Sequence, residues 1–175
     1  MSLPIALDEL YARYAGLVVA YLRGQGAPDP EDLASEVFVG VVRGVDSFQG
    51  DEAALRSWLL VIAHRRLLDD RRRRGRKPAD AVQPHRLHDV PDLGQLADVE
   101  SVALERLGTD RVRDALDQLT DDQRTVVLLH TVGGLTLPQI SEMLGKRLAA
   151  VKSLHRRGLA AAARALDDTD RGVTR

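Results

Sequence analysis

Apolar residues recur along this chain at intervals of three and four, and the pattern is broken at glycines and prolines. Leu10, Tyr14, Leu17, Val18, Tyr21 and Leu22 form a first helical stripe that ends at Gly24 and Gly26. Asp29 and Pro30 open a second helix, with Leu33, Ala34, Val37, Phe38, Val41, Val42 and Val45 as its core face. After the loop Ser47 to Asp51, a third helix carries Leu55, Trp58, Leu59, Ile62, Ala63 and Leu67 and runs into a basic tail from Arg71 to Lys77. Trp58 sits on that stripe and is expected in the core; Phe48, in the loop, is a weaker core candidate.

The pattern lapses between Pro78 and Gly108, where prolines and scattered aspartates allow only a short helix from about Leu96 to Arg106. This stretch is a linker that could reach on the order of 100 Å if extended. His85, His88, Asp89 and Asp92 have metal-like spacing there, but a solvated linker is the better account and no metal is expected. Beyond it, Val112, Ala115, Leu116 and Leu119 resume a helix. Thr120 and Gln123 then form a capping box that opens another helix through Val126, Val127, Leu129 and His130 to Gly133 and Gly134.

The last pattern is the most specific. Thr136 and Gln139 form a second capping box with Pro138 in the first turn, and Ile140, Met143 and Leu144 give one apolar face. Gly145 is placed to end this two-turn helix in the left-handed conformation. A longer helix follows with Val151, Leu154, Leu159, Ala162 and Leu166 toward the core. The layout is a helix-turn-helix. From Lys146 to Arg164 the only charged residues are Lys146, Arg147, Lys152, Arg156, Arg157 and Arg164, all basic. Small residues at Ala149, Ala150 and Ser153 would let such a helix enter a DNA major groove.

Composition narrows the class. Aromatics are 3% of the 175 residues, so the core must be aliphatic, which favours an all-α protein. With no cysteine, disulfides, thiolate metal sites and cysteine nucleophiles are excluded. The N-terminus lacks a signal-peptide pattern and no 18-residue apolar run occurs, so a soluble cytoplasmic protein is expected. Five scattered histidines, no plausible triad and no phosphate-cradling loop argue against an enzyme, and no cofactor is expected.

Net charge is −1, so nucleic-acid binding depends on local patches. Residues 1–78 and 109–175 are near neutral, whereas 79–108 is acidic. Eight Lys or Arg residues lie between His64 and Lys77 against Asp69 and Asp70, a density that points to phosphate. The second helix instead places acids, Glu31, Asp32 and Glu36, on its outer face, interrupted by Val39 and Gly40. Such a surface suits either a partner or plain solvation.

The stretches PEDLASEVFVGVVRGVDSFQGDEAALRSWLLVIAHRRLLDDRRR (Pro30 to Arg73) and LPQISEMLGKRLAAVKSLHRRGLAAA (Leu137 to Ala162) resemble, in order and separation, the extracytoplasmic-function (ECF, group 4) sigma factors of bacterial RNA polymerase. The resemblance implies two small helical domains, sigma region 2 over 1–78 and sigma region 4 over 109–175, joined by the acidic linker 79–108. It implies that Glu31, Asp32, Glu36, Val39 and Arg43 dock on the polymerase clamp, with the flap as a further polymerase contact. Phe48, Gln49, Gly50 and Asp51 would capture an unstacked −10 base, and His64, Arg65, Arg71 and Arg72 would meet the −10 strand. Arg147, Ala149, Ala150, Lys152, Ser153, Arg156 and Arg157 would read or hold the −35 element. Core polymerase, promoter DNA and an anti-sigma factor are the implied partners.

The chain departs from common family patterns at His64 and Arg65, where Arg-Asn is frequent. It departs again at Ala149 and Ala150, where Gly-Thr is common, and at Leu154, which replaces a frequent arginine. More of the −35 contact then falls to phosphates and DNA shape. The competing reading is a stand-alone helix-turn-helix repressor or activator, which leaves the Pro30 to Arg74 block without a purpose.

Overall fold

A computed structural model describes residues 7–75 and 110–172, and over them the chain is helical, as the periodicity predicts. Helices α1 (Leu7–Gly24), α2 (Pro30–Gly44) and α3 (Glu52–Arg73) form the first group, with a single 3-10 turn, Val45–Ser47, after α2. Helices α4 (Asp110–Asp117), α5 (Asp121–Thr131), α6 (Leu137–Leu144) and α7 (Leu148–Gly172) form the second. The possible helix near Leu96 and the His85, His88, Asp89 and Asp92 set lie outside the described residues.

The starts of α2, α3, α5 and α6 are chemically marked. Asp29 accepts from the Asp32 N–H at 3.0 Å to cap α2, and Asp51 accepts from the Ala54 N–H at 2.8 Å to cap α3. Thr120 with Gln123 and Thr136 with Gln139 form two complete capping boxes.

The α1 stripe is fully internal: Leu10, Tyr14, Leu17, Val18, Tyr21 and Leu22 are all nearly inaccessible. On α2 the stripe holds through Val41, but Val42 is 45% exposed. At 100° per residue Val42 lies roughly 100° from the stripe's centre, so it has rotated out to solvent.

Helix α3 differs most from its sequence pattern, because it is buried on two faces. The expected stripe, Leu55, Leu59 and Ala63, is internal, and so is a second one formed by Ser57, Leu60, His64, Leu68 and Arg71. The second stripe exists because α1 and the second helical group pack over it. A Cβ added to Gly133, in the turn after α5, would lie 2.7 Å from Leu60 Cδ1, and one added to Gly24 would lie 2.9 Å from Leu128 Cδ2. The two groups therefore share one continuous apolar core. Among the described residues no helix is long and apolar enough to cross a membrane.

Candidate nucleic-acid interface

The helix-turn-helix is built as its sequence requires. Thr136 Oγ1 accepts the Gln139 N–H, while Gln139 Oε1 accepts the Thr136 N–H at 2.7 Å. At the other end of α6, Gly145 has φ 63°, where a side chain would be strained, and its N–H bonds back to Ser141 and Glu142 carbonyls. Ser141 Oγ donates to the Lys146 carbonyl at 2.6 Å and Lys146 Nζ pairs with Asp122 at 3.2 Å, so the turn is tied to both α6 and α5.

Ile140, Met143 and Val151 anchor the pair of helices. The expected core residue Leu159 is instead 42% exposed, and Gly158 takes the inward position. A Cβ there would lie 2.7 Å from Val127 Cγ2, so α7 crosses α5 too closely to admit a side chain. The seating of α7 leaves Arg147, Ala149, Ala150, Lys152, Arg156 and Arg157 exposed, with Ser153 half-buried beside them. Among the described residues none of Arg147, Lys152, Arg156 and Arg157 makes an ion pair. Arg157 Nε donates to the Ser153 carbonyl at 3.4 Å, but guanidinium and ammonium groups with no ion pair among the described residues, set around two alanines, can meet phosphates without first breaking a salt bridge.

His155 was not singled out by the sequence pattern. Its ring lies edge-on to His130 with centroids 4.6 Å apart, and its Nε2 is buried without a hydrogen-bond partner among the described residues. Burial, then the neighbouring His130, holds its pKa below the usual range, so the ring stays neutral against the core. His130 Nδ1 donates to the Leu135 carbonyl at 2.8 Å, fixing its tautomer.

In the first helical group, Phe48, Gln49, Gly50 and Asp51 lie together at the entrance to α3. Phe48 is half-buried against Trp58 with ring centroids 5.2 Å apart, and Gln49 and Asp51 are exposed. Gly50 admits the Phe48 ring: a Cβ would lie 2.9 Å from its Cζ. Asp51 has a definite structural task besides, since it caps α3.

The basic end of α3 is divided. Arg72 is exposed and pairs with Asp69 at 3.3 Å, while Arg73 reaches Glu36 at 3.4 Å and Arg74 reaches Asp70 at 2.9 Å. The acids thus offset much of the repulsion that suggested a polyanion. Asp70 is buried, but the Arg72–Asp69 and Arg73–Glu36 pairs lie at the surface, where such pairs are worth only about 0–1 kcal/mol and yield readily to phosphate. Arg65 is half-buried, and its Nε has no hydrogen-bond partner among the described residues.

His64 and Arg71 are not on this surface. His64 is 3% exposed and Arg71 8%, beneath the seam between the two helical groups. Arg71 donates to the Gln25 backbone carbonyl at 2.7 Å. The Gln25 side-chain amide donates both to Tyr21 Oη at 3.1 Å and, across the seam, to Thr125 Oγ1 at 3.0 Å. Tyr21 Oη meets His64 Nδ1 at 2.8 Å. Sequence periodicity missed this cluster. The available signals were a glutamine between Gly24 and Gly26 and a threonine inside the apolar run of α5.

On α2, Asp32, Glu36, Val39 and Arg43 are four and three residues apart and share an outer face, with Glu31 beside it. Val39 is 53% exposed and adjoins the exposed Val42. Glu31 pairs with Arg23.

Two family models match, in this order: Sigma-70 region 2 over residues 10–77 and Sigma-70, region 4 over residues 109–161. The chain is 34% identical over 161 residues to the ECF RNA polymerase sigma factor SigK of Mycolicibacterium vanbaalenii, covering 88% of this chain and 76% of that one. It is 31% identical over 160 residues to SigK of Mycobacterium tuberculosis, covering 91% and 83%. Among solved structures, the fold matches RpoE in complex with the anti-sigma factor NepR from Bartonella quintana, with TM-score 0.66, 19% identity and 91% and 96% coverage. It also matches CnrH in complex with the cytosolic domain of CnrY, with TM-score 0.60, 21% identity and 93% and 88% coverage.

Proposed function

The chain belongs to the ECF sigma factors of bacterial RNA polymerase, and from that membership we propose how its surfaces divide the work. It is a sigma factor that directs transcription initiation, with regions 2 and 4 binding core polymerase and promoter DNA, and it is not a stand-alone repressor. Residues 1–78 serve as the polymerase-clamp and −10 module, 79–108 as the linker, and 109–175 as the −35 module. RNA synthesis is left to the polymerase, in the cytoplasm.

In the −35 module, Arg147, Lys152, Arg156 and Arg157 hold phosphates on either side of a slim edge formed by Ala149, Ala150 and Ser153. Alanines can meet thymine methyls but cannot donate or accept hydrogen bonds, so register and DNA shape carry much of the specificity. In the −10 module, Phe48 leaves Trp58 and, with Gln49, Gly50 and Asp51, receives an unstacked base. Unstacking costs a few kcal/mol, which polymerase contacts to both strands help to offset. Arg65 and Arg72 follow the strand. The outer face of α2, from Glu31 to Arg43 with Val39 at its centre, meets the clamp, and the region 4 module reaches the flap. An anti-sigma factor that covers these polymerase-binding faces is the inhibitor we infer, since RpoE, a protein of the same fold, was solved with one.

The observation that carries the reading is the basic face of α7, without ion pairs among the described residues, around two exposed alanines on a helix-turn-helix preceded by a region 2 match over residues 10–77. Runoff transcription with core polymerase and a genomic template pool tests it. Addition of this protein should produce discrete starts, and no stimulation over core polymerase alone would reject it.

A further inference from the structure

An acid stands at the wrong end of α3 for the helix dipole. Asp70 lies in the last turn, where the backbone carbonyls disfavour negative charge, and it is only 8% exposed, so its carboxylate needs partners. The arginines that follow supply them. Arg74 Nε lies 2.9 Å and 3.1 Å from the two carboxylate oxygens, and Arg73 comes within 3.7 Å.

The backbone fixes the same residues. The Arg74 N–H donates to the Asp70 carbonyl at 3.0 Å and the Gly75 N–H to the Arg72 carbonyl at 3.0 Å, where Gly75 turns the chain away at φ 75°. Arg74 is thus held both at its amide and at its guanidinium. Since Nε is the atom engaged, both terminal nitrogens are left over, and neither has a hydrogen-bond partner among the described residues. They form a planar fork on an exposed side chain, which suits two oxygens of one phosphate. Arg73 is committed elsewhere, because one terminal nitrogen is shared between Asp70 and Glu36, the latter 3.4 Å away on α2.

We propose that Arg74 is a further promoter contact of the −10 module, and that Asp70 is the positioning residue that turns its guanidinium fork toward a backbone phosphate. Arg74 stands two residues past Arg72, the last arginine of the strand-following set, and neither Asp70 nor Arg74 belongs to that set. The contact is to phosphate and carries no base preference of its own. This inference rests on the assignment of α3 to the −10 strand. A plain charge-balancing role for Asp70 makes the opposite forecast. An acid that merely offsets the basic tail weakens attraction to a polyanion, so its removal raises affinity. An acid that aims Arg74 lowers affinity when removed, although the surface becomes more positive.

Full-length variants assembled with core polymerase test this on a promoter duplex opened over the −10 element, with affinity followed from low to high salt. Asp70→Ala should bind about fivefold more weakly than wild type, the size expected for one charge-assisted contact at a surface. Arg74→Ala, at an exposed side chain, should weaken binding by a similar factor and shrink the slope of log affinity against log salt by about 0.7–0.9. The double variant should bind no more weakly than Arg74→Ala alone, because Asp70 acts through Arg74. If Asp70→Ala does not fold, Asp70→Asn, which removes the charge at nearly constant shape, takes its place with the same sign expected. Affinity at or above that of wild type on loss of the acid, or an unchanged slope in Arg74→Ala, overturns the proposal. So does a loss in Arg74→Ala confined to affinity for core polymerase, which would turn the side chain toward the enzyme instead of the DNA. If the wild-type holoenzyme itself makes no discrete starts, the −10 assignment fails first and the proposal falls with it.

Discussion

Tyr21 Oη lies 2.8 Å from His64 Nδ1 in a fully buried site, where the state of the imidazole decides which group donates. The Gln25 amide donates to Tyr21 Oη, and a neutral imidazole with an unprotonated Nδ1 accepts the one phenol proton, leaving neither group unsatisfied. Burial, then the positive Arg71, pushes the His64 pKa down to about 4, in agreement with that arrangement. Burial likewise raises the Tyr21 pKa, so its phenol keeps its proton.

Acid should therefore loosen the fold through His64. Its folded pKa lies below its unfolded value, so the unfolded chain binds the extra proton and stability falls as pH drops from about 6.5 toward about 4. The loss attributable to this one group is about 2 kcal/mol at pH 5. Urea unfolding of wild type and His64→Gln at pH 7 and pH 5 checks it: the variant should show a smaller pH-dependent loss, and equal losses would reject the assignment.

Gly145→Ala should weaken the helix-turn-helix. The left-handed backbone at φ 63° costs an L-residue about 1–2 kcal/mol, and nothing crowds the position, so backbone strain is the whole effect. Thermal unfolding of the variant should be lower by a few degrees, with weaker binding to −35 duplex.

At Gly158 two effects oppose each other. Alanine gains about 1 kcal/mol of helix propensity, but its Cβ would sit 2.7 Å from Val127 Cγ2 and 3.4 Å from the Gln123 carbonyl. Overpacking typically costs 1–3 kcal/mol, so net destabilisation is expected. A denaturant midpoint at or above that of wild type would show that α7 can shift away freely.

Replacing Lys152 by Ala should affect DNA contact and not folding, because the side chain is exposed. If it meets a phosphate, the slope of log affinity against log salt for the holoenzyme on promoter DNA should shrink by about 0.9. An unchanged slope would remove Lys152 from the interface.

Val39→Glu separates polymerase docking from stability. At 53% exposure the change should alter unfolding free energy by less than about 0.5 kcal/mol. Affinity for core polymerase should fall at least tenfold, read by competition for core in a fluorescence assay. Unchanged affinity would move the clamp contact elsewhere on α2.

The helices, their caps and the helix-turn-helix were legible because they depend on neighbours along the chain. Asp29, Thr120, Thr136 and Gly145 act within four residues of themselves, and local hydrogen-bond geometry decides where a helix starts or stops. The inward stripes of α1 and α2 were legible for a related reason, since each packs one face and leaves the other to water. The exposed basic set on α7 could also be read, because charge without partners goes to solvent.

The second face of α3 could not be read in this way. Leu60, Leu68, His64 and Arg71 carry no one-sided period once two different neighbours bury two sides of a helix, and the mixed stripe resembles a half-solvated one. Likewise Gly158 and Leu159 exchanged roles because the depth of the α5–α7 crossing is set by Val127, some thirty positions away. Sequence alone thus determined the helices, their ends and the helix-turn-helix, all consequences of short-range bonding and periodicity, and pointed to the family through its resemblance to known sigma factors. Tertiary structure decided that Gln25, 100 positions from Thr125, bonds to it, and that His64 and Arg71 lie beneath the seam. A buried polar group is obliged to find a partner, but only the folded chain determines which one is within reach.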